Sequence, residues 1–263
     1  MWKWVGIFLV VLSGCATVEQ PSDQAIKDLA PSGKLRAAIN LGNPVLASRG
    51  ADGRLQGVSV DLATELAGRL GVPVDLIAFD AAGKVVEAGA KGGWDIAFVA
   101  IDPKRSAEIA QSPPYVVIEG AYLVRNDSPL RDNAQVDRKG NRIVVGRNSA
   151  YDLFLTRSIK HAEIVRIQGS QFVVDYFLKN DVEVAAGVKQ QLEMDAKRVG
   201  GVRLLPGRFM VINQAMASQR DRPAGAQFVR AFIEDMKASG SVAKALERHG
   251  IQGAAVAPKG DVQ

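Results

Sequence analysis

The stretch that decides the fold is GWDIAFVAIDPKR, residues 93–105. Its apolar run, residues 95–100, predicts a buried strand, and Asp102-Pro103 predicts the start of a helix directly after it. Asp is a favoured N-cap residue, and Pro suits the first helical turn because its fixed φ fits there and its missing N–H needs no partner. A strand that passes into a helix through one polar turn is typical of the α/β class.

The same alternation of strand and helix continues on both sides of this stretch. Asp61 is the predicted N-cap of a helix that carries Leu62, Leu66 and Leu70 on one face. In the first half of the chain, strands are predicted at residues 35–39, 55–60, 74–79 and 116–124. In the second half, strands are predicted at residues 143–145, 165–167, 182–186 and 202–205. Strands separated by helices predict mainly parallel sheets, and the two blocks, 33–120 and 125–205, predict two lobes.

Composition excludes several kinds of site. The 263 residues carry a net charge of +5, with 47% hydrophobic and 23% charged residues, which is typical of a globular protein. Cys15 is the single cysteine, so neither an intramolecular disulfide nor a cysteine-rich metal site is expected. His161 and His249 are the only histidines and form no HExxH motif. The basic residues form no block with interleaved aromatics, so nucleic acid is not an expected partner, and no cofactor or metal is expected either.

The N-terminus has the pattern of a targeting segment. Lys3 precedes an apolar run of nine residues, 4–12, which would cover only about 14 Å as a helix and is too short to span a bilayer. The run fits the hydrophobic region of a secretory signal peptide. It ends in LSGC, residues 12–15, which resembles a bacterial lipobox and implies lipidation of Cys15; an ordinary signal peptide with an incidental cysteine is the alternative. Residues 1–14 are then the signal peptide and residues 15–32 a tether, and Ala16 after the cysteine implies outer-membrane sorting.

Several short fragments carry a family resemblance by their order and spacing: GKLR (33–36), DGRLQG (52–57), GWDI (93–96) and PY (114–115). Together they resemble the extracytoplasmic solute-binding proteins of the polar amino-acid type, family 3, which are the receptors of ABC importers. The resemblance covers residues 33–255 and implies the type II periplasmic-binding-protein fold. Each of its two lobes is a mainly parallel sheet flanked by helices, and two strands cross between them near residues 119–125 and 208–214. The implied division is residues 33–120 with 212–255 for lobe 1, 121–211 for lobe 2 and 256–263 for a C-terminal tail.

The resemblance also implies which residues bind the solute. Arg105 ends the segment whose guanidinium forks onto a ligand carboxylate, a geometry that gives both energy and orientation; otherwise it is an exposed arginine on a surface helix. Ser149 is a candidate donor or a plain N-cap, and Tyr151 either walls the pocket or packs on its own helix. The remaining implied ligand residues are Asn148, Ala150, Asn43 and Gln190.

The chain departs from the family pattern around the ligand. The loop after the first strand lacks the usual aromatic residues, the segment from residue 95 to 105 is about two residues short, and Val188 stands where an acid usually meets the ligand ammonium. A buried ammonium without a counter-charge is expensive. Either Asp102 supplies the missing carboxylate, its alternative role being an N-cap, or the ligand has no α-ammonium. In the second case Lys84, at a predicted helix start near the cleft, would help to bind an anion.

The expected function is a receptor that closes on a small polar carboxylate-bearing solute, an amino acid or a related compound, and presents it to a membrane permease. The expected location is the periplasm, with a lipid anchor on Cys15 in the outer or the inner membrane. One alternative is an enzyme that resembles the periplasmic cyclohexadienyl dehydratases, with Glu119 or Glu193 as the candidate acid or base. Another is an orphan sensor or interaction lipoprotein with a degenerate pocket.

Overall fold

The computed structural model describes residues 20–260, so the predicted signal peptide and Cys15 lie outside the described residues. The strands are β1 (Leu35–Asn40), β2 (Ser48–Arg49), β3 (Leu55–Gln56), β4 (Val74–Phe79), β5 (Ile96–Ala100), β6 (Ile109–Gln111), β7 (Val116–Arg125), β8 (Arg142–Gly146), β9 (Glu163–Ile167), β10 (Val184–Val188), β11 (Val202–Leu204), β12 (Met210–Gln219) and β13 (Ala255–Val256). The helices are α1 (Asp23–Leu29), α2 (Val58–Leu70), α3 (Ala82–Gly89), α4 (Pro103–Ser106), α5 (Ala150–Ser158), α6 (Val173–Lys179), α7 (Lys189–Val199), α8 (Pro223–Ala238) and α9 (Ser241–Arg248). None of these helices is long and apolar enough to cross a bilayer.

Two parallel groups of strands lie at opposite ends of one mixed sheet, whose order is β4-β1-β5-β12-β7-β10-β8-β9. The group β4-β1-β5 forms the sheet of the first lobe, and the group β10-β8-β9 forms that of the second. Helices α8 and α9 follow β12 but pack against α1 and α2, so the end of the chain returns to the first lobe. This arrangement matches the predicted two-lobed α/β fold.

The strands β7 and β12, ten residues each, connect the two parallel groups. They pair with each other, antiparallel, between residues 116–120 and 210–214. Beyond that overlap β12 continues along β5 in the first lobe, whereas β7 continues along β10 in the second. The predicted crossings near 119–125 and 208–214 therefore fall on the two strands that pass between the lobes.

Helix α2 begins earlier than the sequence predicts. The expected strand over 55–60 ends at Gln56, and Gly57, with φ of 121°, is the N-cap in place of Asp61. A Cβ at Gly57 would collide with the backbone of Leu46, so only glycine fits this entry. Val58 is fully buried in the first turn of the helix, which explains why the apolar pattern there resembled a strand.

Residues 23–29 are not a tether but a helix of the first lobe. The hydroxyl of Ser22 accepts from the N–H of Ala25 at 3.1 Å and caps α1. Leu29 is fully buried, and the carboxylate of Asp28 accepts from the N–H of Gly225 in α8 at 3.0 Å. The prediction of a tether was wrong here because the two flanking prolines drew attention away from a short helix of seven residues.

The predicted C-terminal tail is also attached to the first lobe over its described residues. Val256 belongs to β13, which pairs with β7. The N–H of Ala257 donates to the carbonyl of Tyr115 at 3.1 Å, and Ala257 is buried. The N–H of Gly260 donates to the carboxylate of Glu234 in α8 at 3.2 Å. Residues 256–260 are therefore part of the packed structure.

Trp94 and Asp95, which directly precede β5, connect several segments of the first lobe by hydrogen bonds. Asp95 is fully buried and accepts from the guanidinium of Arg36 at 2.8 and 2.9 Å and from that of Arg222 at 3.0 Å. The indole N–H of Trp94 donates to the carbonyl of Val85 at 2.7 Å. A buried carboxylate is tolerated only when it is paired and hydrogen-bonded, as here. These contacts fix the strand that leads to the candidate site.

Candidate functional site

The candidate site is the cleft between the lobes, where the carboxyl ends of the two parallel groups meet. This is where open α/β sheets place their ligand sites. A cavity of about 30 Å³ lies there. Its uncharged polar lining residues are Asn40, Asn43, Ser149, Tyr151, Ser170 and Gln214. Its small and apolar lining residues are Gly42, Ala82, Ala100, Ala150, Val188 and Ile212. Arg105 is the only charged residue in the wall of this cavity.

Arg105 lies buried between the lobes and not on a surface helix. Arg105 belongs to the short helix α4 of the first lobe and is only 2% exposed. The guanidinium donates to the carbonyl of Ala100 at 3.1 Å in its own lobe and to that of Asn148 at 2.8 Å in the other. Burial lowers the pKa of Arg105 to about 10, a shift that the charge of Asp102 partly opposes. The group therefore remains a cation at neutral pH.

The loop between β8 and α5 presents backbone groups to Arg105. Asn148 has a positive φ of 57°, which few residues other than Gly, Asn and Asp adopt. Its N–H donates to the carboxylate of Asp152 at 2.7 Å. Ser149 is the N-cap of α5, and its hydroxyl accepts from the N–H of Asp152 at 3.0 Å. Ser149 thus combines the cap role with a place in the cavity wall, and Asn148 faces the other lobe.

Tyr151 lines the cavity and also packs in the hydrophobic core. It is 3% exposed and belongs to the main hydrophobic cluster. Burial raises the pKa of its hydroxyl, while interactions with the side chains of Ser170 and Ser149 oppose the shift. A neutral phenol in this position offers the cleft a hydroxyl group and no charge.

Asp102 does not reach the cavity wall. One carboxylate oxygen accepts from the N–H of Lys104 at 2.9 Å and caps α4. The other accepts from the guanidinium of Arg157, in α5 of the second lobe, at 2.7 Å. Asp102 is 4% exposed, so both of its interactions are shielded from water at this end. The carboxylate is therefore occupied by a helix cap and by an ion pair between the lobes.

Two other predicted ligand residues lie away from the cavity. Lys84 is half exposed and pairs with Asp80 at 2.8 Å, one helical turn away. Gln190 is buried in α7 with both polar atoms of its amide unpaired, but it lies beside Gly253 and not in the cavity wall. Asn43 does line the cavity, and its amide oxygen is buried without a partner. Of this group, the fold brings only Asn43 to Arg105.

A second, smaller cavity adjoins the first behind Val188. It measures about 10 Å³ and shares Val188 and Tyr151 with the first cavity. Asp195 is the only acid in its wall, and its carboxylate accepts from Gln191 at 2.8 Å and from Arg198 at 2.8 Å. Neither cavity wall contains an acid that is not already paired.

Sequence reasoning missed three polar residues of the wall, Asn40, Ser170 and Gln214. Asn40 ends β1, so a polar residue closing an apolar strand was the available signal. Gln214 lies on the crossing strand β12, between the buried residues Ile212 and Ala215. Ser170 opens a single turn of 3₁₀-helix, and nothing in the local sequence marks it as part of a site.

The two candidate catalytic acids do not line either cavity. Glu119 pairs with Arg208 at 2.7 Å and with Lys189 at 3.1 Å. The hydrogen bonds from Arg208 and Lys189 lower the pKa of Glu119, which is unfavourable for a general acid at neutral pH. Glu193 is exposed on α7. Within residues 20–260 there is also no cluster of His, Cys, Asp or Glu side chains that could hold a metal ion.

Comparison with protein families gives one match over most of the chain. Residues 35–252 match the family described as bacterial extracellular solute-binding proteins, family 3. A comparison with curated proteins finds no match. The match to the family begins at the first residue of β1 and includes both lobes.

Solved structures confirm the two-lobed fold. The solute receptor for L-cysteine of Neisseria gonorrhoeae is 21% identical, with a TM-score of 0.76 over 87% of this chain and 94% of that one. A putative ABC-transporter binding component of Wolinella succinogenes, complexed with lysine, is 18% identical, with a TM-score of 0.72 over 82% and 95%. An ancestral amino acid-binding protein, described as a precursor of cyclohexadienyl dehydratase, is 19% identical, with a TM-score of 0.73 over 85% and 98%.

Proposed function

The chain belongs to the bacterial extracellular solute-binding proteins of family 3, and from that premise we propose that it is the receptor of an ABC importer. It captures a small polar solute that bears a carboxylate, an amino acid or a related compound, by closing its two lobes around it. The closed receptor then presents the solute to a membrane permease. The periplasm is the proposed location, with a lipid anchor on Cys15, which lies outside the described residues.

Arg105 is the single observation that carries this proposal. A guanidinium has five N–H donors, and within residues 20–260 this one makes two hydrogen bonds, both to carbonyl oxygens. Carbonyl oxygens are neutral, so the charge of a buried cation has no counter-ion in the cleft wall. A carboxylate placed there would accept two parallel hydrogen bonds and neutralise the charge. The binding site is thus matched to an anionic group.

The contacts between the lobes support the proposed closure. Arg105 donates to Asn148 and Asp102 pairs with Arg157, and both contacts connect one lobe to the other. The cavity that Arg105 lines measures about 30 Å³, roughly the volume that one water molecule takes in the liquid. A solute therefore enters and leaves only when the lobes separate about β7 and β12, a hinge movement of the kind that closes two-lobed receptors.

A binding role explains the cavity wall better than catalysis does. Proton transfer needs a positioned acid or base, and this wall contains no Asp, Glu, His or Lys. Its polar groups are hydroxyls and amides around one arginine, which suit recognition by hydrogen bonds. Incubation of the protein with prephenate tests the dehydratase alternative, and we expect no loss of the substrate.

The test of the proposal is calorimetric titration with a panel of amino acids and small carboxylates. We expect at least one to bind, and the Arg105→Ala variant to lose this binding while its far-ultraviolet circular dichroism stays unchanged. Arg147→Ala is the matched control, because Arg147 is an exposed arginine of the second lobe, next to Asn148, and does not line the cavity. Unchanged affinity in Arg105→Ala, or an equal loss in both variants, would contradict the proposal.

A further inference from the structure

The charges around the cleft point to a more specific ligand class. We infer that the solute is a small carboxylate without an ammonium group, such as a 2-hydroxy or 2-keto acid, and not an α-amino acid. This inference rests on the receptor function proposed above. It follows from the balance of charges in the cleft and from what Asp102 and Val188 do there.

The positive charge in the cavity wall is that of Arg105. Arg105 is 2% exposed, and no carboxylate among residues 20–260 lies within 4.0 Å of its nitrogens. Burial lowers its pKa because water no longer solvates the cation. A buried cation without a partner is unfavourable, and an anion that enters the cleft removes this cost. Among the described residues, Arg105 therefore has no ion-pair partner, and its charge is available to a ligand carboxylate.

A ligand ammonium would need a carboxylate in the cavity wall as its partner. The cavity wall contains neither Asp nor Glu. Asp102 is the acid whose charge acts on Arg105, but its two oxygens are taken by the N–H of Lys104 and the guanidinium of Arg157. In the adjoining cavity, Asp195 is paired with Arg198. No carboxylate in either wall is left to compensate a second cation.

α-Amino acids and hydroxy or keto acids differ in the charge that they would bring into this cavity. An α-amino acid is a zwitterion, so its carboxylate offsets Arg105 but its ammonium adds another buried cation. A hydroxy or keto acid brings the same carboxylate and no such cation. At the end of β10 the cavity wall is the apolar side chain of Val188, which cannot accept a hydrogen bond. An anion without an ammonium therefore offsets the charge of Arg105 and adds no second cation to the wall of this cavity.

The uncharged groups of the wall fit a hydroxyl or carbonyl group on the ligand. The amide oxygen of Asn43 is buried without a partner, and a ligand hydroxyl can donate to it. The side-chain amide of Gln214 and the hydroxyl of Ser170 also line the cavity and offer neutral donors and acceptors. Such groups recognise a hydroxyl without needing a charge, whereas an ammonium would rely on neutral acceptors alone.

The experiment uses pairs of ligands that differ only in the ammonium group. The full chain is titrated by calorimetry with L-lactate and L-alanine, L-malate and L-aspartate, and phenyllactate and phenylalanine. We expect the hydroxy acid to bind at least about tenfold more tightly than its amino acid in the pair that fits. In Val188→Asp the preference should reverse, because a carboxylate in the cavity wall can then pair with an ammonium, whereas the neutral Val188→Asn control should keep the original order.

The outcomes separate this inference from the receptor function. Tighter binding of the amino acids by the unaltered chain overturns the inference and leaves the receptor function standing. Failure of both classes to bind, in the panel above and in these pairs, overturns both. If Val188→Asp does not fold, the comparison within each pair on the unaltered chain still decides the matter.

Discussion

Removal of Arg157 should shift the protein towards its open form. The guanidinium of Arg157, on the second lobe, lies 2.7 Å from the carboxylate of Asp102 on the first, and we propose that this contact favours the closed form. Arg157 is half exposed, and exposed ion pairs contribute about 0.2–1 kcal/mol. Asp102 is 4% exposed, so little water can solvate its carboxylate once Arg157 is removed. We therefore expect a free-energy change near the upper end of this range. About 1 kcal/mol in Arg157→Ala corresponds to a roughly fivefold lower ratio of closed to open molecules.

This ratio can be measured as a distance between the lobes. Because Cys15 is the only cysteine, a Cys15→Ser background carries spin labels only at introduced cysteines. Lys91 and Lys179 are exposed, one on each lobe, and are suitable positions for the labels. Pulsed dipolar spectroscopy then gives the two distance populations in Arg157→Ala and in the parent. The affinity for any solute identified by titration should fall by the same factor, since only closed molecules retain it.

Arg166→Ala is the control for the loss of an arginine from a similar ion pair. Arg166 pairs at 2.9 Å with Asp152, which is 3% exposed on its side chain, but both residues belong to the second lobe. Its removal should lower the free energy of unfolding and leave the distance populations unchanged. The reasoning fails if Arg157→Ala keeps the populations of the parent, or if Arg166→Ala shifts them equally.

Two further substitutions test the cleft and the region of the crossing strands. In Gly83→Ala, the new Cβ would lie 2.7 Å from the Cβ of Asn148 on the other lobe, so the closed population should fall. The same spin labels measure this population. Alanine has the higher helix propensity, so a loss would not come from the helix itself. In Glu119→Gln, the free energy of unfolding at pH 7 should fall by about 1 kcal/mol in denaturant titrations. The pKa of Glu119 is lowered by hydrogen bonds from Arg208 and Lys189, so its contribution is present above the ordinary glutamate pKa and is lost as the pH falls through the lowered value. The difference from the parent should therefore shrink below about pH 4.

Each of these substitutions has a matched control in the chain. Gly68→Ala also adds a methyl group to a helix glycine, but no atom lies within 4 Å of the new Cβ, so the lobe distances should stay unchanged. Glu193→Gln removes an exposed glutamate and should change the free energy of unfolding little at either pH. An unaltered closed population in Gly83→Ala, or an effect of Glu119→Gln that persists at pH 3, would contradict the respective argument.

Much of the fold could be predicted from the sequence because its elements have strong local signals. The apolar run before Asp102-Pro103 became β5 followed by α4, with the predicted N-cap in place. The predicted crossings became β7 and β12. The start of α2 could not be predicted, because Val58 and Val60 read equally well as part of a strand until the packing of Gly57 against the backbone of Leu46 is known.

The candidate site was predictable only in part, because its members come from both lobes. Arg105 and Ser149 stood out through their motifs, and the structure places both in the cavity wall. Ser170 and Gln214 reach the same wall only through the path of the chain, for which no local pattern gives a signal. Lys84 had the right charge and position along the chain, but Asp80 lies one helical turn away and holds it on the surface.

Asp102 shows what tertiary contacts add to a sequence pattern. From the sequence, its carboxylate could cap a helix, or it could replace the acid that is missing at Val188 and bind a ligand ammonium. The structure shows that it caps α4 and that its second oxygen pairs with Arg157 of the other lobe. To bind an ammonium, Asp102 would have to release the residue that holds the lobes together, and so oppose the closure that retains the ligand. A ligand without an ammonium avoids this conflict, because it needs only Arg105 as its charged partner.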